Sequence, residues 1–383
     1  MSTIEELAWD LCTGCAACAQ SCPRAVIAMQ SDAEGFLHPV IQKTACVDCG
    51  VCVGVCPVLS PSGERPAPFA YAARAQDEEL REKSSSGGVF SLLATGVLER
   101  GGVVFGAAFN DEFDVVHTAV HSTEELAKLR GSKYVQSRIG DAYSQARVYL
   151  EEGKTVLFSG TPCQIEGLLA YLRRPYERLI TQDIICHGVP SPLVWQNYVK
   201  EQERTYGAPL RMVNFRHKSP DWRRYSLQMG FDNDQHYVAS RADDPYMRSF
   251  LKDLTLRPSC YQCVFKKLGR VSDITLADFW GVQDCVPHMD DGRGTSLVIC
   301  HSEKGRALLD NLLPSLICEP TDLQAAIAHN GAMMQSVPRP ALRDAFMRDI
   351  VTMPLGRAVR QYCPKPTLWS RIAGKCKRIL RGR

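Results

Sequence analysis

Eight cysteines near the start of the sequence form two blocks with the same spacing. The first block, CTGCAACAQSCP, and the second, CVDCGVCVGVCP, both read C-x2-C-x2-C-x3-C-P. Three thiolates spaced this closely on one loop cap one face of a 4Fe–4S cluster, and the fourth, carried away on a short helix, binds the other cluster. The expected ligands are Cys12, Cys15, Cys18 and Cys56 for the first cluster, and Cys46, Cys49, Cys52 and Cys22 for the second.

Zinc is the alternative metal for cysteines at such spacings. Structural zinc sites usually pair two C-x2-C units across a longer gap, and do not place three ligands at x2 spacing before a C-P pair. The repeated pattern therefore favours a two-cluster 4Fe–4S ferredoxin domain over residues 1–60. Such a domain transfers single electrons and carries no substrate chemistry of its own.

Four later cysteines form a second candidate site. Cys163 in GTPCQ and Cys186 in ICHGVPSP each follow a predicted strand, whereas Cys260 and Cys263 form a C-x2-C pair in RPSCYQCVF. If they converge, four thiolates give a third 4Fe–4S cluster or an all-thiolate zinc site. Cys163 also lies at the start of a predicted helix, where a thiol pKa is lowered, so a nucleophile with His187 as its base is the rival interpretation.

The elements that position these residues come after a linker at 61–68 that is rich in Pro, Ser and Gly. Strands are predicted in FAYAARA, VVFGAAF, TVLF and LITQDII, and helices over 89–100, 122–130 and 142–153 and after Cys163. This alternation favours an α/β sheet flanked by helices. Shorter strand candidates follow in RMVNFRH, YSLQMGF, SDITLADFW and TSLVICH.

The predicted fold class is therefore mixed, α+β and α/β. A bacterial-type two-cluster ferredoxin domain precedes a larger mixed α/β domain. The larger domain is expected in two parts, an N-terminal part over 69–150 and a C-terminal part over 151–320 that contains the second cysteine group. A helical extension with a basic tail is expected over 321–383.

Two loops have the composition of a phosphate-binding site. KSSSGGVFS places serines and glycines before a predicted helix, where free N–H groups attract anions. RGSKYVQS brings Arg130, Lys133 and Tyr134 near a glycine, which offers two cations and an aromatic ring. Either loop alone is a weak signal, because S-S-S-G-G is also a good helix start. No G-x-G-x-x-G opens a βαβ unit, so the Rossmann nucleotide site is not predicted.

Composition limits the class of protein. A chain of 383 residues with 45% hydrophobic and 23% charged residues is typical of a soluble globular protein with two or three domains. The acidic start lacks the features of a secretory signal and no apolar run reaches about 20 residues, so a cytoplasmic location is expected. In a reducing compartment, 17 cysteines favour metal or redox chemistry. The scattered ones are expected to be free thiols: Cys285, Cys300, Cys318, Cys363 and Cys376.

The net charge of +3 depends on the last thirteen residues, RIAGKCKRILRGR, which hold six Lys and Arg. Without them, 39 basic against 42 acidic residues give −3, which argues against nucleic acid binding by the main fold. Trp369, Ile372, Ile379 and Leu380 fall on one face of a helical projection. The tail is either a solvated basic terminus or a peripheral contact with anionic lipid or an acidic partner.

Five motifs occur in one order over residues 70–300: SSSGGVF, GSKYVQS, FSGTPCQI, ICHGVPSP and PSCYQC-x14-DFWG. Together they resemble the beta subunit of coenzyme F420-reducing hydrogenases and dehydrogenases, whose bacterial members commonly carry a fused ferredoxin domain. The resemblance implies an FAD-binding flavoprotein with a third 4Fe–4S cluster. The implied cluster ligands are Cys163, Cys186, Cys260 and Cys263, and the implied flavin contacts are Ser86, Gly87, Gly88, Ser132, Lys133 and Tyr134.

The expected function is an oxidoreductase that passes electrons from ferredoxin or another low-potential donor through the clusters to FAD and on to a small-molecule hydride acceptor. The resemblance implies coenzyme F420 as the acceptor, or an intermediate of cell-surface polysaccharide synthesis. No catalytic residue is predicted, although Asp278 and His187 lie within motifs. The alternatives are an electron-transfer subunit of a larger hydrogenase-like or dehydrogenase-like complex, without its own substrate, and a zinc-stabilised binding protein.

Overall fold

The computed structural model describes residues 3–63, 65 and 68–364. Two short helices and one antiparallel strand pair build its front part. Each helix begins after a residue with a left-handed backbone conformation. These residues are Ala16 (φ 62°) and Gly50 (φ 73°), and each makes a sharp turn directly after the second cysteine of its block. The elements are α1 (Ala17–Ser21), β1 (Ile27–Ser31), β2 (Leu37–Ile41) and α2 (Val51–Gly54).

The strands of the larger part form two sheets. A three-stranded antiparallel sheet has the order β10–β9–β8, and an eight-stranded sheet has the order β13–β3–β12–β11–β7–β6–β4–β5. Their bounds are β3 (Phe69–Ala75), β4 (Val103–Phe109), β5 (Val115–Val120), β6 (Val156–Gly160), β7 (Leu179–Ile184), β8 (Leu210–His217), β9 (Ser226–Phe231), β10 (His236–Ser240), β11 (Ile274–Asp278), β12 (Ser296–Cys300) and β13 (Leu316–Thr321).

Strands β4, β6, β7 and β11 are parallel neighbours at the centre of the large sheet. Their short apolar runs are buried because helices cover a parallel sheet on both faces. The carboxyl ends of parallel strands meet at one edge of the sheet. That edge therefore brings together GTPCQ after β6, ICHGVPSP after β7 and DFWG at the end of β11.

Helices surround the sheets. They are α3 (Glu78–Glu82), α4 (Val89–Leu98), α5 (Ala142–Glu151), α6 (Pro162–Leu172), α7 (Pro192–Tyr206), α8 (Pro245–Leu251), α9 (Val282–Cys285), α10 (Glu303–Leu312), α11 (Leu323–Ala328), α12 (Arg343–Asp349) and α13 (Leu355–Tyr362). Short 3₁₀ turns lie at Ile4–Glu6, Trp9–Leu11, Lys43–Ala45, Glu125–Lys128, Pro258–Gln262, Pro287–Met289, Leu313–Ser315 and Gly331–Met333.

Helix α6 has a well-defined start. Thr161 and Gln164 form a reciprocal capping box, and Pro162 occupies the first turn, where its missing N–H costs nothing. Cys163 therefore lies in the first turn of a helix that directly follows β6. The strand-to-helix junction predicted from FSGTPCQIEGL is confirmed.

The helix predicted over 122–130 is wrong. The chain forms only the short 3₁₀ turn Glu125–Lys128 there. The Glu125 carboxylate accepts a hydrogen bond from the backbone N–H of His121 (2.9 Å), and Lys133 Nζ donates to the carbonyl oxygen of Lys128 (2.9 Å). Both bonds lie at the ends of the turn, and the Leu129 N–H donates to the Leu126 carbonyl oxygen (3.0 Å), which is the i→i+3 pattern of a 3₁₀ turn.

The front part shares a hydrophobic core with the larger part. Ala16, Ala17 and Val55 pack in one buried cluster with Ile165 and Leu168 of α6. Separately, the aromatic side chains of Trp195, Tyr198, Phe215 and Tyr246 pack together beneath the three-stranded sheet. The first contact matters for function, because it seats the first cysteine block against the helix that carries Cys163.

Within the part of the chain that the structure describes, no helix is long and apolar enough to cross a bilayer. The basic tail lies outside the described residues, as do Cys376 and the four apolar residues Trp369, Ile372, Ile379 and Leu380. The other scattered cysteines, Cys285, Cys300, Cys318 and Cys363, are free thiols.

Candidate functional site

The first cysteine group of the front part is deeply buried. The side chains of Cys12, Cys15, Cys18 and Cys56 are all buried and lie near one another. Burial and the neighbouring thiols raise the pKa of Cys15 to about 12. Burial acts in the same direction on Cys12, but the hydrogen bond with His38, the charge of Arg257 and the backbone N–H of Gly14 together hold the pKa of Cys12 below its usual value.

The second front group lies closer to the surface. Cys22, Cys46, Cys49 and Cys52 line a cavity of about 20 Å³ together with Asp48. Cys49 is exposed, and Cys46 Sγ donates a hydrogen bond to Asp48 Oδ1 (3.6 Å). Both front groups thus combine three cysteines of one block with the last cysteine of the other block, as the spacing predicts.

The four later cysteines come together from three segments of the chain. Cys163 from α6, Cys186 after β7, and Cys260 and Cys263 around the 3₁₀ turn Pro258–Gln262 line one cavity of about 30 Å³. The four cysteine side chains line the walls of this cavity and do not converge on a single position. Among the described residues, no three Cys, His, Asp or Glu side chains stand close enough to hold a single metal ion.

The surroundings of Cys163 are unlike those of a nucleophile. Burial raises the pKa of its thiol well above the usual value, whereas a reactive cysteine needs a lowered pKa. The proposed base, His187, instead places Nε2 at 2.6 Å from Asp253 Oδ1. The polar neighbours of the sulfurs include Thr161 Oγ1, at 3.1 Å from Cys163 Sγ, and the Val189 N–H, which donates to Cys260 Sγ (3.4 Å).

One buried side chain joins the later cysteines to the first front group. Arg257 donates from Nε to the carbonyl oxygen of Cys12 (2.6 Å), from Nη1 to Gln136 Oε1 (3.0 Å) and from Nη2 to the carbonyl oxygen of Leu37 (2.9 Å). Gln136 in turn donates to the carbonyl oxygen of Thr13 (2.9 Å). Thr13 and Arg257 both line the cavity of the later cysteines, so the first front group is its immediate neighbour.

A much larger cavity of about 610 Å³ opens on the other side of the later cysteines. Of the residues predicted to contact flavin, five line it: Ser86, Gly88, Ser132, Lys133 and Tyr134. The sixth, Gly87, packs between strands, where an added Cβ would lie 2.4 Å from the Ala73 carbonyl oxygen. The structure thus brings the SSSGG and SKY loops to one cavity, and the Ser132 N–H donates to Ser85 Oγ (2.8 Å).

The two cavities share a wall. Cys186, His187, Gly188 and Val189 line both the small cavity and the large one. Cys186 is thus the cysteine that lines both spaces.

Sequence reasoning missed a buried arginine that lines the large cavity. Arg216 from β8 is 3% exposed, lies 3.9 Å from the Tyr225 ring centre and stands near Asp278 (2.8 Å). Nη2 is the atom that pairs with Asp278 Oδ2, whereas Nε has no hydrogen-bond partner among the described residues. Trp280 lines the same cavity. An arginine in a short strand gives no local signal, because the cavity forms only when β8 meets β11.

Comparisons with known proteins agree with this architecture. Models of the coenzyme F420 hydrogenase/dehydrogenase beta subunit match residues 70–143 (N-terminal part) and 153–325 (C-terminal part), and a 4Fe–4S dicluster domain model matches residues 11–59. A chain of the xenon-derivatised F420-reducing NiFe hydrogenase complex from Methanosarcina barkeri is 15% identical; the match covers 78% of this chain and 95% of that one, with a TM-score of 0.47. No curated protein matches the sequence significantly.

Proposed function

The chain belongs to the coenzyme F420 hydrogenase/dehydrogenase beta subunit family, and we propose that it is an iron–sulfur flavoprotein oxidoreductase that reduces a small molecule. Its 4Fe–4S dicluster domain makes the front part an electron-transfer module. Bound 4Fe–4S clusters move single electrons, and bound flavin exchanges two of them for a hydride.

The observation that carries this proposal is the position of the four later cysteines. They lie between the buried front group and the large cavity, with Arg257 on one side and the shared wall at Cys186 on the other. Single electrons tunnel only over short distances, so electron transfer from the front part to the large cavity needs an intermediate redox centre. A third cluster at this position links the front part to a flavin in the cavity.

The donor set fits a third 4Fe–4S cluster. Cys163, Cys186, Cys260 and Cys263 supply four thiolates, and all four side chains are partly buried. The Val189 N–H donates to Cys260 Sγ, a type of contact that stabilises the negative charge on cluster ligands. These four residues would hold the cluster.

The large cavity fits a flavin. Its volume of about 610 Å³ lies in the range of cofactor sites, which is about 300–1,000 Å³. Gly88 (φ 89°) precedes the ten-residue helix α4, and Val89, Phe90 and Ser91 line the cavity at its positive end. This helix start would hold a phosphate group of FAD. Ser132, Lys133 and Tyr134 would bind the same cofactor from the opposite loop.

The acceptor would bind at the remaining wall. Arg216 Nε, which has no hydrogen-bond partner among the described residues, offers a hydrogen bond to a negatively charged or carbonyl group, and Trp280 offers an aromatic face. Coenzyme F420 is the acceptor that the family name supports. A sugar- or lipid-linked intermediate of cell-surface polysaccharide synthesis is the second candidate class. The donor, ferredoxin or another low-potential protein, would dock beside the exposed Cys49.

The family description as beta subunits supports a second function, an electron-transfer subunit within a larger complex. The metal and flavin content of the protein after anaerobic purification separates the two. We expect about twelve irons, no stoichiometric zinc and one FAD per chain. About eight irons without flavin would leave only the front relay and favour the second function.

A further inference from the structure

The cavity of the later cysteines is lined by positive charge. Arg257, Lys266 and Arg270 line it together with the four thiols, and no Asp or Glu among the described residues does so. A 4Fe–4S cluster with four thiolates is an anion, and reduction adds one more negative charge. Cations that line the same cavity as the thiols therefore favour the reduced state of a cluster bound by these cysteines.

Two of these three cations are not neutralised locally. Lys266 Nζ donates to the carbonyl oxygens of Cys186 (2.8 Å) and Ala332 (3.0 Å), and Arg257 is hydrogen-bonded to carbonyl and amide groups. Arg270, in contrast, lies 3.3 Å from Asp183 Oδ1 in a buried ion pair. The uncompensated charge at the cavity therefore comes from Lys266 and Arg257.

The backbone adds positive potential on the same side. Cys163 lies in the first turn of the eleven-residue helix α6, whose N-terminal end carries a partial positive charge. The Val189 N–H points at Cys260 Sγ (3.4 Å). Both features stabilise negative charge on these thiolates.

The front groups lack this concentration of charge. The group of Cys12 is more deeply buried, and the basic side chains beside Cys12 are His38 and Arg257, the second of which it shares with the later cysteines. The cavity of Cys46 is lined by Asp48 and by no Lys or Arg among the described residues. Burial disfavours added negative charge and is deeper in the group of Cys12, so it acts in the same direction as the cations beside the Cys163 group. Lys266 is the locally unpaired cation that the Cys163 group does not share with the Cys12 group.

We propose that the charge of Lys266 raises the reduction potential of the Cys163 group above those of the front groups, so that electrons that enter at the front part collect beside the large cavity. This inference rests on the proposed function. Each donor molecule loses one electron, and two electrons arriving in turn, with one proton from solvent, make the hydride that the acceptor takes up.

Redox titration of the purified holoprotein, followed by electron paramagnetic resonance, tests this order. The Cys163→Ser and Cys15→Ser variants identify the signals of their clusters. We expect the Cys163 cluster to be reduced first, at the highest potential. In Lys266→Gln its potential shifts downward while the front clusters keep theirs, and Lys266→Arg, which keeps the charge, stays close to the unchanged protein.

Lys43→Gln is the matched control, because Lys43 is 76% exposed and pairs with Glu5, where water screens its charge. It should shift no potential. A Cys163 cluster that is reduced last, or a Lys266→Gln protein with unchanged potentials, would overturn the inference. Absence of the third cluster from the unchanged protein would instead defeat the proposed function, so the two failures are distinguishable.

Discussion

Arg257 Nε lies 2.6 Å from the carbonyl oxygen of Cys12, so the segment that carries Cys260 is hydrogen-bonded directly to the first loop of the ferredoxin domain. The guanidinium is 1% exposed and also binds Gln136 and Leu37. One side chain thereby fixes the distance between two groups of cysteines. The front part is therefore both hydrogen-bonded to the larger part and packed against it.

Replacing this arginine should loosen the front part. Arg257→Met leaves three buried acceptors without a donor, and we expect the free energy of unfolding to fall by about 3 kcal/mol. Urea denaturation followed by circular dichroism measures it. Arg24→Met, at an exposed position of the same domain, is the control and should change stability by less than about 0.5 kcal/mol. Equal midpoints for the two variants would refute this role of Arg257.

The contact between Gly167 and Cys15 gives a steric prediction. A Cβ on residue 167 would lie 3.0 Å from Cys15 Cβ and 3.0 Å from Tyr143 Oη. Gly167→Ala should therefore destabilise the protein by about 1–3 kcal/mol, because two packed helices must separate. Gly96→Ala in α4 has no atom within 4 Å and should be stabilising by about 0.5–1 kcal/mol. Thermal unfolding of both variants decides, and a neutral Gly167→Ala would contradict the packing described.

Removing one later cysteine should remove one cluster. In Cys163→Ser we expect iron to fall from about twelve to about eight per chain while the front clusters keep their signals. Cys285→Ser, a free thiol outside the cysteine cavities, should retain all the iron. Iron determination on anaerobically purified protein is the measurement. A Cys163→Ser protein with undiminished iron would remove Cys163 from the ligand set.

His117 predicts a pH dependence of stability. It is buried on the wall of the large cavity, where burial lowers its pKa from 6.5 to about 4 in the folded protein. Between pH 4 and pH 6.5 the unfolded chain binds more protons at His117 than the folded chain does. The free energy of unfolding is therefore not reduced by His117 above pH 6.5, and it falls by about 3 kcal/mol as the pH drops to 4. His117→Gln should lose this part of the pH dependence, which urea titrations at several pH values can measure. Parallel curves for both proteins would show that His117 is not held neutral.

Much of the site and of the fold could be predicted from patterns of residues that are close together in the sequence. Cysteine spacing predicted how the two front groups combine, and the alternation of the apolar runs of β4, β6 and β7 with helices predicted an α/β sheet flanked by helices, because both depend on neighbours in sequence. The strands β5, β10 and β13 gave no clear pattern and were missed. Arg257, Lys266 and Arg216 were also missed. Their roles depend on partners far away in sequence, as Arg257 and Cys12 show.

The electron capacity of the purified protein tests the central claim most directly. Each 4Fe–4S cluster accepts one electron and a flavin accepts two, so three clusters with one flavin take up about five electrons per chain. Anaerobic titration with a low-potential reductant, monitored by visible absorbance, counts them. We expect about five electrons and bleaching of a flavin band. Uptake of about two electrons without a flavin band would contradict the proposal and leave the front relay alone.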